Sequence, residues 1–413
     1  MYSADRKLFT YIAILITCAM VLVYSMSEFV VLLDRTSDLH FFVRELIYGT
    51  VAIFIMWSLA QLDPDKWIKP LGFTLFFGSA LLMIAMPFLP ESLVHAVGGA
   101  KRWIRIAGFS LAPVEFFKVG FVWFLAWSFS RKIEHKPGSK LKDEAVAFLP
   151  YAVMFLIVMF MIAFIQNDLG QVMVLGMTMI VMLTFAGSSM RFFFAMFLGI
   201  VVAGVLFIVS KTHRIERVKS WWAIAQDSVL SIFPSEIAQK LRVPIDVVPY
   251  QIGHSLNAIH HGGIIGVGLA DGGFKLGFLS DVHTDFILAG MAEEFGFVGV
   301  FTIVILFMLI ILRIFKIANR AGDKTLSLFA LGIGLILSFS FLLNSYGISG
   351  ITPVKGIAVP FLSYGGSSML ASAIGIGMVL MISKKVDLSS KANGEFEQKR
   401  KTNASDHVSE EYQ

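Results

Sequence analysis

The chain has 413 residues, of which 56% are hydrophobic and 15% are charged, and its formal net charge is +5. Charged residues make up about a quarter of an ordinary soluble domain, so this composition excludes a soluble globular protein and indicates a polytopic membrane protein. The apolar residues come in blocks about 20 residues long, which predicts membrane-spanning helices rather than the shorter, alternating strands of a barrel. Membrane orientation accounts for the positive charge, and we expect no nucleic-acid partner.

The first apolar block follows Arg6 and Lys7 and continues to Met26. A basic start followed by an apolar run could be a signal peptide, but this run is long and no small-residue cleavage site follows it. We therefore interpret the block as the first membrane span. The only cysteine of the sequence, Cys18, lies inside this span, so we expect no intramolecular disulfide.

Ten segments are long and apolar enough to cross a membrane. The predicted fold class is therefore all-α, a polytopic integral membrane protein with about ten transmembrane helices. Residues 1–383 form a single transmembrane domain, in which one long extracytoplasmic loop, 210–285, joins helices 7 and 8. The polar tail 384–413 lacks aliphatic periodicity and is predicted to be disordered and cytoplasmic. The predicted spans cover roughly 8–26, 41–60, 67–88, 110–130, 149–165, 170–186, 192–209, 286–312, 326–346 and 361–383.

Lys and Arg residues are distributed unevenly between the two sides of the predicted membrane. The N-terminal segment, the loops after even-numbered spans and the tail hold 20 of them, whereas the four short loops on the other side hold 5. Because positively charged short loops stay in the cytoplasm, both termini are predicted to be cytoplasmic. The long loop and the 98–108 loop then share the outer face.

Ionisable side chains inside predicted spans are costly and are usually paired or face a cavity. Glu115 and Lys118 lie three residues apart in the fourth span, on one face of a helix, where they can neutralise each other. This pair is either a structural ion pair or part of the lining of a polar cavity. Arg44 and Glu45, near the start of the second span, are close enough to the outer interface to extend their charges into water.

The outer loops carry two further groups of polar or glycine-rich residues. The segment around Trp103 contains three cations, Lys101, Arg102 and Arg105. Three cations and an indole at a membrane surface suit a phosphorylated or sugar-bearing lipid headgroup, although an interfacial aromatic residue with Arg side chains reaching water has the same composition. The segment 262–273 contains six glycines, which is typical of a re-entrant or surface turn.

The junction between polar and apolar sequence at 272–297 contains His283, Thr284, Asp285 and Glu293. Residues 295–312 carry no charge and are long enough to span, so Asp285 lies at or above the outer interface or lines a cavity. On a continuous helix, Asp285 and Glu293 would lie about 12 Å apart along the axis and could bracket one cleft. Asp285 is either a functional carboxylate or a helix cap, since helix N-termini favour Thr and Asp.

Five segments spread over nearly the whole membrane region contain these groups: GGAKRWIRIAGFSLAPVEFFK (98–118), QNDLG (166–170), YQIGHSLNAIHHGGIIGVGL (250–269), KLGFLSDVHTDFILAGMAEEFGF (275–297) and ITPVKGIAVPFLSYGGSSML (351–370). In this order they resemble the SEDS family (shape, elongation, division and sporulation), membrane glycosyltransferases that polymerise the cell-wall precursor lipid II. The sequence departs from the usual family pattern at Asn167, where proline is common, and at Ser280 and Asp281, where Pro-Glu is common.

The resemblance implies that Asp285, the aspartate of the HTDF motif, is essential for polymerisation. It also implies a set of substrate-binding residues around a cavity: Trp103, Arg105, Lys101, Arg102, Glu115, Lys118, Lys275, His283, Thr284 and Glu293. The implied donor carries its sugar on a polyprenyl diphosphate, so the transfer needs chiefly a base for the acceptor hydroxyl and positive charge for the departing diphosphate. Asp285 can be the base, and the cations of the Trp103 segment can hold the diphosphate.

A divalent cation, Mg²⁺ or Mn²⁺, bound near Asp285 is a further candidate for holding the diphosphate, and no organic cofactor is expected. The family has elongation (RodA-like) and division (FtsW-like) branches, and Lys355 in TPVKG and the VYSMS segment at Val23 favour the division branch. Either branch implies a class B penicillin-binding protein, a transpeptidase, as partner, with other divisome membrane proteins, in the bacterial cytoplasmic membrane.

Two functions of other classes stay open. The first is a flippase or other transporter of the lipid-linked precursor, in which charged residues would form a polar path to the cytoplasmic side. The second is a catalytically silent scaffold of the division machinery, in which the charges on the outer face would be dispensable.

Overall fold

The computed structural model describes residues 3–28, 39–94, 101–106, 109–133, 140–209, 212–231, 233–243, 250–279, 281–353 and 356–386. Ser280, Lys355 and all of the predicted tail after residue 386 lie outside this part of the chain. The α-helices of the described residues are α1 (Arg6–Met26), α2 (His40–Gln61), α3 (Pro64–Ala85), α4 (Pro113–Lys132), α5 (Leu141–Phe160), α6 (Leu169–Phe185), α7 (Met190–Val209), α8 (Thr212–Leu230), α9 (Ser235–Leu241), α10 (Tyr250–Gly262), α11 (Ile287–Arg320), α12 (Lys324–Ile348) and α13 (Gly366–Ser383).

Helices occupy all ten of the segments predicted to cross the membrane. Seven of these helices are long and apolar enough to span by length and composition. Helix α6 and the described apolar part of α7 are shorter, and α4 contains Glu115 and Lys118 within its apolar sequence. The predicted all-α, polytopic class is confirmed, and the chain is a multi-pass membrane protein. The predicted long loop between spans seven and eight contains α8, α9 and α10.

Aspartates cap several of these helices, because a carboxylate can accept hydrogen bonds from the free amides of a first turn. Asp5 accepts from the first free amides of α1. Asp63 caps α3, whose first residue, Pro64, has no amide hydrogen to satisfy. Asp168 caps α6 and is thereby held at the end of the bundle where that helix begins.

One end of the bundle joins the start of the chain to the end of the last helix. The amide of Asp5 donates to Ser383 Oγ at 3.0 Å, and Arg313 Nε lies 2.5 Å from the Asp5 carboxylate. Lys385 pairs with Asp65 at the same end. This is the end that the Lys and Arg distribution predicts to be cytoplasmic.

A short antiparallel hairpin lies at the opposite end of α13. It consists of β1 (Ile104–Ile106) and β2 (Phe109–Leu111), which form the sheet found among the described residues. Ser367 Oγ accepts from the amide of Ala112 and donates to the carbonyl of Ser110, both at 2.9 Å. The amide of Arg105 donates to the carbonyl of Leu93 at 2.7 Å. The hairpin is therefore fastened both to α13 and to the turn after α3, and it holds the Trp103 segment in a defined position.

Helix α11 is interrupted at Gly296, whose φ of 65° and ψ of −165° are accessible essentially only to glycine. The interruption removes the helical donors from the carbonyls of Glu293 and Glu294. The amides of Val267 and Gly268 replace them, each with a hydrogen bond of 3.0 Å. The glycine-rich segment 262–273 therefore lies against the break and satisfies carbonyls that would otherwise be unpaired inside the protein.

The same segment satisfies the amides on the other side of the break. Phe297 donates to the carbonyl of Gly263 at 2.9 Å, and Val298 donates to the carbonyl of Ile264 at 3.1 Å. The backbones approach so closely that a Cβ at Gly266 would overlap the carbonyl of Glu294. The predicted turn is thus a loop that replaces the missing hydrogen bonds of one helical turn, and its glycines are required by this close approach.

Candidate active site

Asp285 lies in a turn that immediately precedes α11. Its amide donates to the carbonyl of Asp281 at 3.0 Å, and its side chain is half-buried. The N-cap residue of α11 is Phe286, and no side chain forms a capping hydrogen bond there. The alternative in which Thr284 or Asp285 serves as a helix cap is therefore wrong, and the Asp285 carboxylate is not committed to its own helix.

Side chains from α12 and from the loop that leads into α13 hold the backbone of this turn. Asn344 Nδ2 donates to the carbonyl of Asp285 at 2.6 Å and to that of Ile357 at 2.8 Å. Ser363 Oγ donates to the carbonyl of Thr284 at 2.6 Å. The carboxylate is consequently presented from a backbone fixed by α12 and by the loop that leads into α13, which limits its movement.

His283 is anchored in the same way, but its ring is part of an aromatic cluster. Its carbonyl accepts from the amide of Tyr364 at 2.9 Å, and its ring lies 5.1 Å from that of Phe41 and 5.6 Å from that of Tyr364. Arg44 donates a hydrogen bond to the Tyr364 hydroxyl. Glu45 is fully buried, and its oxygens have no hydrogen-bond partner among the described residues, so it does not reach water as expected.

The electrostatic surroundings of Asp285 favour its protonated form. Burial raises the pKa of Asp285 to about 7, the negative charges of Asp281 and Asp168 contribute to the increase, and the positive charge of Arg102 opposes it. A Cβ at Gly356 would lie 2.9 Å from the carboxylate, so the loop backbone covers one side of it. A carboxylate with a pKa near neutral pH is well matched to accept a proton in a transition state.

Arg102 connects the hairpin segment to the QNDLG motif. Its Nε donates to the carbonyl of Gln166 at 2.8 Å, and its Nη2 donates to the carbonyl of Asn167 at 2.6 Å. Asn167 has a φ of 52°, which asparagine tolerates and which proline, fixed near −65°, cannot adopt. Asparagine, at a position where the family commonly has proline, therefore permits the loop conformation in which two backbone carbonyls accept hydrogen bonds from Arg102.

The other members of the Trp103 segment are more accessible. Arg105 is exposed, and Lys101 and Trp103 are half-buried. The guanidinium carbon of Arg102 lies 6.0 Å from the centre of the Trp103 ring. The three predicted cations therefore differ in what they can do, because Arg102 is held by backbone carbonyls whereas Arg105 is free to meet a ligand from solvent.

Glu115 and Lys118 form the predicted ion pair, with 2.8 Å between Lys118 Nζ and Glu115 Oε2. Gln171 Nε2 donates to the other Glu115 oxygen at 2.9 Å. The three side chains line a cavity of about 30 Å³ between α4, α6, α12 and α13. The pair is therefore both structural and part of a polar lining, and the cavity has room for about two water molecules rather than for a sugar.

Glu293 and Lys275 have protein partners in the structure. The Glu293 carboxylate accepts from the amide of Gly273 at 2.8 Å and lies 3.0 Å from His261 Nδ1. Lys275 Nζ lies 3.0 Å from Glu294 Oε1 in a fully buried pair. Asp285 lies in the turn before α11, so the predicted geometry of one continuous helix applies only from Ile287 to Glu293. Contact of Glu293 and Lys275 with substrate stays a prediction.

Three residues at this site were not predicted from the sequence. Asp168 belongs to the quoted QNDLG motif, which was the available signal for its presence, yet a lone aspartate before a span is indistinguishable from a helix cap. Asn344 lies within an apolar span, and Tyr364 lies in a glycine-rich motif without a charge to mark it. Their roles come from tertiary contacts that no local pattern records.

The predicted divalent cation can be compared with the groups available to bind it. Among the described residues, no cluster of three or more His, Cys, Asp or Glu side chains is arranged to hold a metal ion. Mg²⁺ bound to a substrate diphosphate commonly takes only one or two protein carboxylates and otherwise keeps water. The described residues alone do not provide a cation cage, and metal dependence stays a prediction.

Known proteins resemble the chain over nearly its full length. Residues 6–388 match the family model of cell cycle proteins of the FtsW, RodA and SpoVE type. A protein from Helicobacter pylori, named "Probable peptidoglycan glycosyltransferase FtsW", is 47% identical over 383 residues, which cover 92% of this chain and 99% of that protein. A protein of the same name from Trichlorobacter lovleyi is 31% identical over 388 residues, which cover 93% and 94%.

A solved structure also shares the fold. It comes from work described as "Structural coordination of polymerization and crosslinking by a peptidoglycan synthase complex" and aligns with a TM-score of 0.68 at 22% identity. The alignment covers 94% of this chain and all of the other.

Proposed function

The chain belongs to the FtsW, RodA and SpoVE family of cell cycle proteins, the SEDS family, and from this premise we propose that it is a division-type peptidoglycan glycosyltransferase that polymerises lipid II into glycan strands. The observation that carries the proposal is the environment of Asp285. The carboxylate is half-buried, has a pKa of about 7, and is influenced electrostatically by Arg102 of the Trp103 segment.

The reaction uses one carboxylate. The acceptor hydroxyl oxygen attacks the anomeric carbon of the donor sugar, and the bond from that carbon to the polyprenyl diphosphate oxygen breaks. The diphosphate leaves with the bonding electrons, and Asp285 accepts the proton of the hydroxyl. Because a diphosphate leaves without being protonated, the second carboxylic acid of a glycosidase is not needed.

The three cations of the Trp103 segment have different roles in the reaction. Arg105 and Lys101 bind the diphosphate and stabilise the charge that develops on it. Arg102 holds the QNDLG segment against the hairpin and moderates the negative potential at Asp285. Trp103 offers an aromatic face to the sugar or the isoprenoid, and His283 and Thr284 keep the HTDF backbone in position through their carbonyls. A divalent cation at this site would be held by Asp285 and would offset the negative charge of the diphosphate.

The decisive test is Asp285→Asn, assayed with purified protein and labelled lipid II. We expect polymer formation to fall by about 10²- to 10⁴-fold, the usual contribution of a general base. The protein should stay folded, because the raised pKa means that ionised Asp285 lowers the stability of the folded state above the ordinary pKa, and the amide removes that charge. Substantial residual polymerisation by a well-folded Asp285→Asn protein would contradict the role of Asp285.

The partner and the membrane are part of the same proposal. We place the protein in the bacterial cytoplasmic membrane with both termini inside and the Asp285 site outside, where lipid II is used. A class B penicillin-binding protein would cross-link the new strand beside it. The related fold in a complex that coordinates polymerization and crosslinking supports such a pairing, and other divisome membrane proteins are expected nearby.

A flippase is the competing function, and the buried Glu115 and Lys118 pair is the observation in its favour. A flippase needs a polar path wide enough for a disaccharide headgroup, whereas the cavity beside this pair measures about 30 Å³. Lipid II transport into protein-containing vesicles distinguishes the two functions. Translocation that persists in Asp285→Asn, without any glycan product from the native protein, would favour the flippase.

A further inference from the structure

A buried polar cluster joins three separate parts of the chain near the break in α11. Lys275 Nζ contacts Glu294 Oε1 at 3.0 Å, and it donates to the carbonyls of Ala270 at 2.8 Å and Ser25 at 3.2 Å. Ser25 Oγ donates to the same Glu294 oxygen at 2.6 Å. We call Ser25, Lys275 and Glu294 the latch, because they link the end of α1, the glycine-rich loop and α11.

The latch acts on a short and completely enclosed piece of helix. All eight residues from Ile287 to Glu294 are buried. Gly290, in the middle of this piece, is so close to α1 that a Cβ would lie 2.5 Å from Met26 Sδ. The break at Gly296 separates this piece from the long remainder of α11, so its orientation depends on its side contacts and not on the continuing helix.

A buried ion pair of this kind is better suited to fixing orientation than to adding stability. Removing two charges from water costs about as much as their attraction returns, so apolar replacements of similar volume are often as stable. Directional hydrogen bonds from one ammonium to Glu294 and two backbone carbonyls nevertheless define a single arrangement of the three elements. The latch therefore specifies how the enclosed piece of α11 is seated.

Asp285 lies at the opposite end of this piece from the latch. The helical piece from Ile287 to Glu294 is roughly 10 Å long at about 1.5 Å per residue, and Asp285 lies two residues before its start, in the preceding turn. Over that length, a tilt of only about 5° moves Asp285 by about 1 Å, a displacement that can reduce a rate by about 100-fold. The latch and the contacts of Asn344 and Ser363 with the turn therefore act together in setting the position of the carboxylate.

We propose that Lys275 and Glu294 are positioning residues of the glycosyltransferase, which help to set the position of the Asp285 carboxylate by fixing the orientation of the helical piece 287–294. The inference rests on the proposed function and deepens it. It assigns to Lys275 a role through Asp285 instead of contact with the lipid substrate, and it adds Glu294, which the sequence argument did not include among the site residues.

The test compares Lys275→Met with the double variant Lys275→Met/Glu294→Met. The single variant leaves a buried, unpaired carboxylate and can fail to fold, whereas the double variant removes both buried charges with side chains of similar length. Glu28, whose exposed carboxylate lies 3.3 Å from Lys275 Nζ, stays in contact with water in both variants. In the double variant we expect a melting temperature close to that of the native protein. We also expect kcat to fall by about 10- to 100-fold with KM for lipid II unchanged, because the loss concerns the position of the base.

The matched control is Lys385→Met, which breaks the exposed ion pair with Asp65 at the other end of the bundle and should leave kcat unchanged. Amide hydrogen exchange provides a measurement independent of activity. Exchange at residues 287–296 should be faster in the double variant than in the control and the native protein, because the enclosed piece of helix loses the hydrogen bonds that fix its orientation.

Native kcat in a folded double variant would overturn the positioning role. A raised KM at native kcat would overturn it as well and would restore Lys275 to substrate binding. Asp285→Asn measured in parallel separates these results from failure of the proposed function. If native protein forms polymer and Asp285→Asn does not, a native double variant rejects the latch alone. If native protein forms no polymer, the exchange rates still decide whether the latch seats the helical piece.

Discussion

Asp285 differs from the other acidic residues near it in how its charge is compensated. Glu115 is paired with Lys118, and Glu294 is paired with Lys275. Asp285 instead lies among negative charges that outweigh the effect of Arg102. Burial and like charge raise the pKa of Asp285, which gives this carboxylate a suitable strength as a base near neutral pH.

This environment predicts a specific pH dependence. The base form of Asp285 is populated only above its pKa, so the rate should rise with pH and reach half its maximum near pH 7. Asp281→Asn removes a negative charge that raises this pKa, and the midpoint should move to lower pH. Asparagine tolerates the left-handed backbone of this position, where φ is 54°, so the turn should persist.

The measurement is the pH profile of kcat/KM for lipid II polymerisation. Asp271→Asn is the control, since Asp271 is an exposed carboxylate on the glycine-rich loop and does not contribute to the pKa of Asp285. A midpoint that stays in place or rises in Asp281→Asn would show that the profile reports a group other than Asp285.

Arg105 is the exposed cation of the hairpin and should act mainly in binding. A hydrogen bond to a charged group is worth about 1.5–3 kcal/mol, so Arg105→Ala should raise KM for lipid II by about 10- to 100-fold. The control is Arg131→Ala, because Arg131 is likewise an exposed arginine, but it lies 4.6 Å from the Trp127 ring at the other end of α4. An unchanged dependence on lipid II concentration in Arg105→Ala would argue against contact with the headgroup.

At the scale of elements, the site depends on two pieces of irregular backbone inside a helical bundle. Non-helical backbone at membrane depth is tolerated where protein satisfies its polar groups. The hairpin is satisfied by Ser367 and Leu93, and the break in α11 is satisfied by the 262–273 loop. Each irregular piece presents functional side chains that a regular span could not hold in the same place.

Gly296→Ala tests the break in α11. An alanine would have to adopt a backbone conformation essentially restricted to glycine, at a cost of about 1–3 kcal/mol, and its Cβ would overlap the Ile264 carbonyl. We expect a lower melting temperature and less folded protein in detergent. Gly78→Ala is the control, because that glycine is within α3 with open space around it, and alanine there should be neutral or stabilising. Native stability of Gly296→Ala would mean that the break is not required.

The spans of this fold were predictable because their signal is local. Hydropathy over about 20 residues identifies a helix such as α1 or α13 without knowledge of its neighbours. Asp285 was predictable for a different reason, since it belongs to a recognisable motif next to an uncharged span. Three features were not predictable: the carbonyl partners of Arg102, the latch at Glu294 and the contact of Asn344 with Asp285. Each joins residues far apart in the chain, so no local or periodic sequence pattern indicates it.

At the scale of the whole molecule, charge and chemistry are separated between the two ends of the bundle. Lys385, Arg313 and the start of the chain gather at one end, and the hairpin and Asp285 are associated with the other. A glycosyltransferase that takes a lipid-linked substrate at one surface needs this polarity. The separation also supports the proposal that the active site opens away from the cytoplasm.

Cysteine labelling tests this orientation directly. Cys18 is the only cysteine of the sequence, so Cys18→Ser provides a background without thiols. Asp271→Cys, on the exposed glycine-rich loop, should react with a membrane-impermeant thiol reagent in intact spheroplasts. Gly322→Cys, in the turn between α11 and α12, should react only after permeabilisation. The opposite pattern would place Asp285 on the cytoplasmic side and exclude the proposed use of lipid II at the outer face.

The break at Gly296 has a consequence for how the protein meets membranes of different thickness. The part of α11 after the break, residues 297–320, is about 36 Å long at about 1.5 Å per residue, longer than the roughly 30 Å hydrocarbon core. Such a segment accommodates hydrophobic mismatch by tilting. Because the tilt is taken up at the break, while the loop and α1 hold the piece above it, bilayer thickness can change without displacing the carboxylate that the reaction uses.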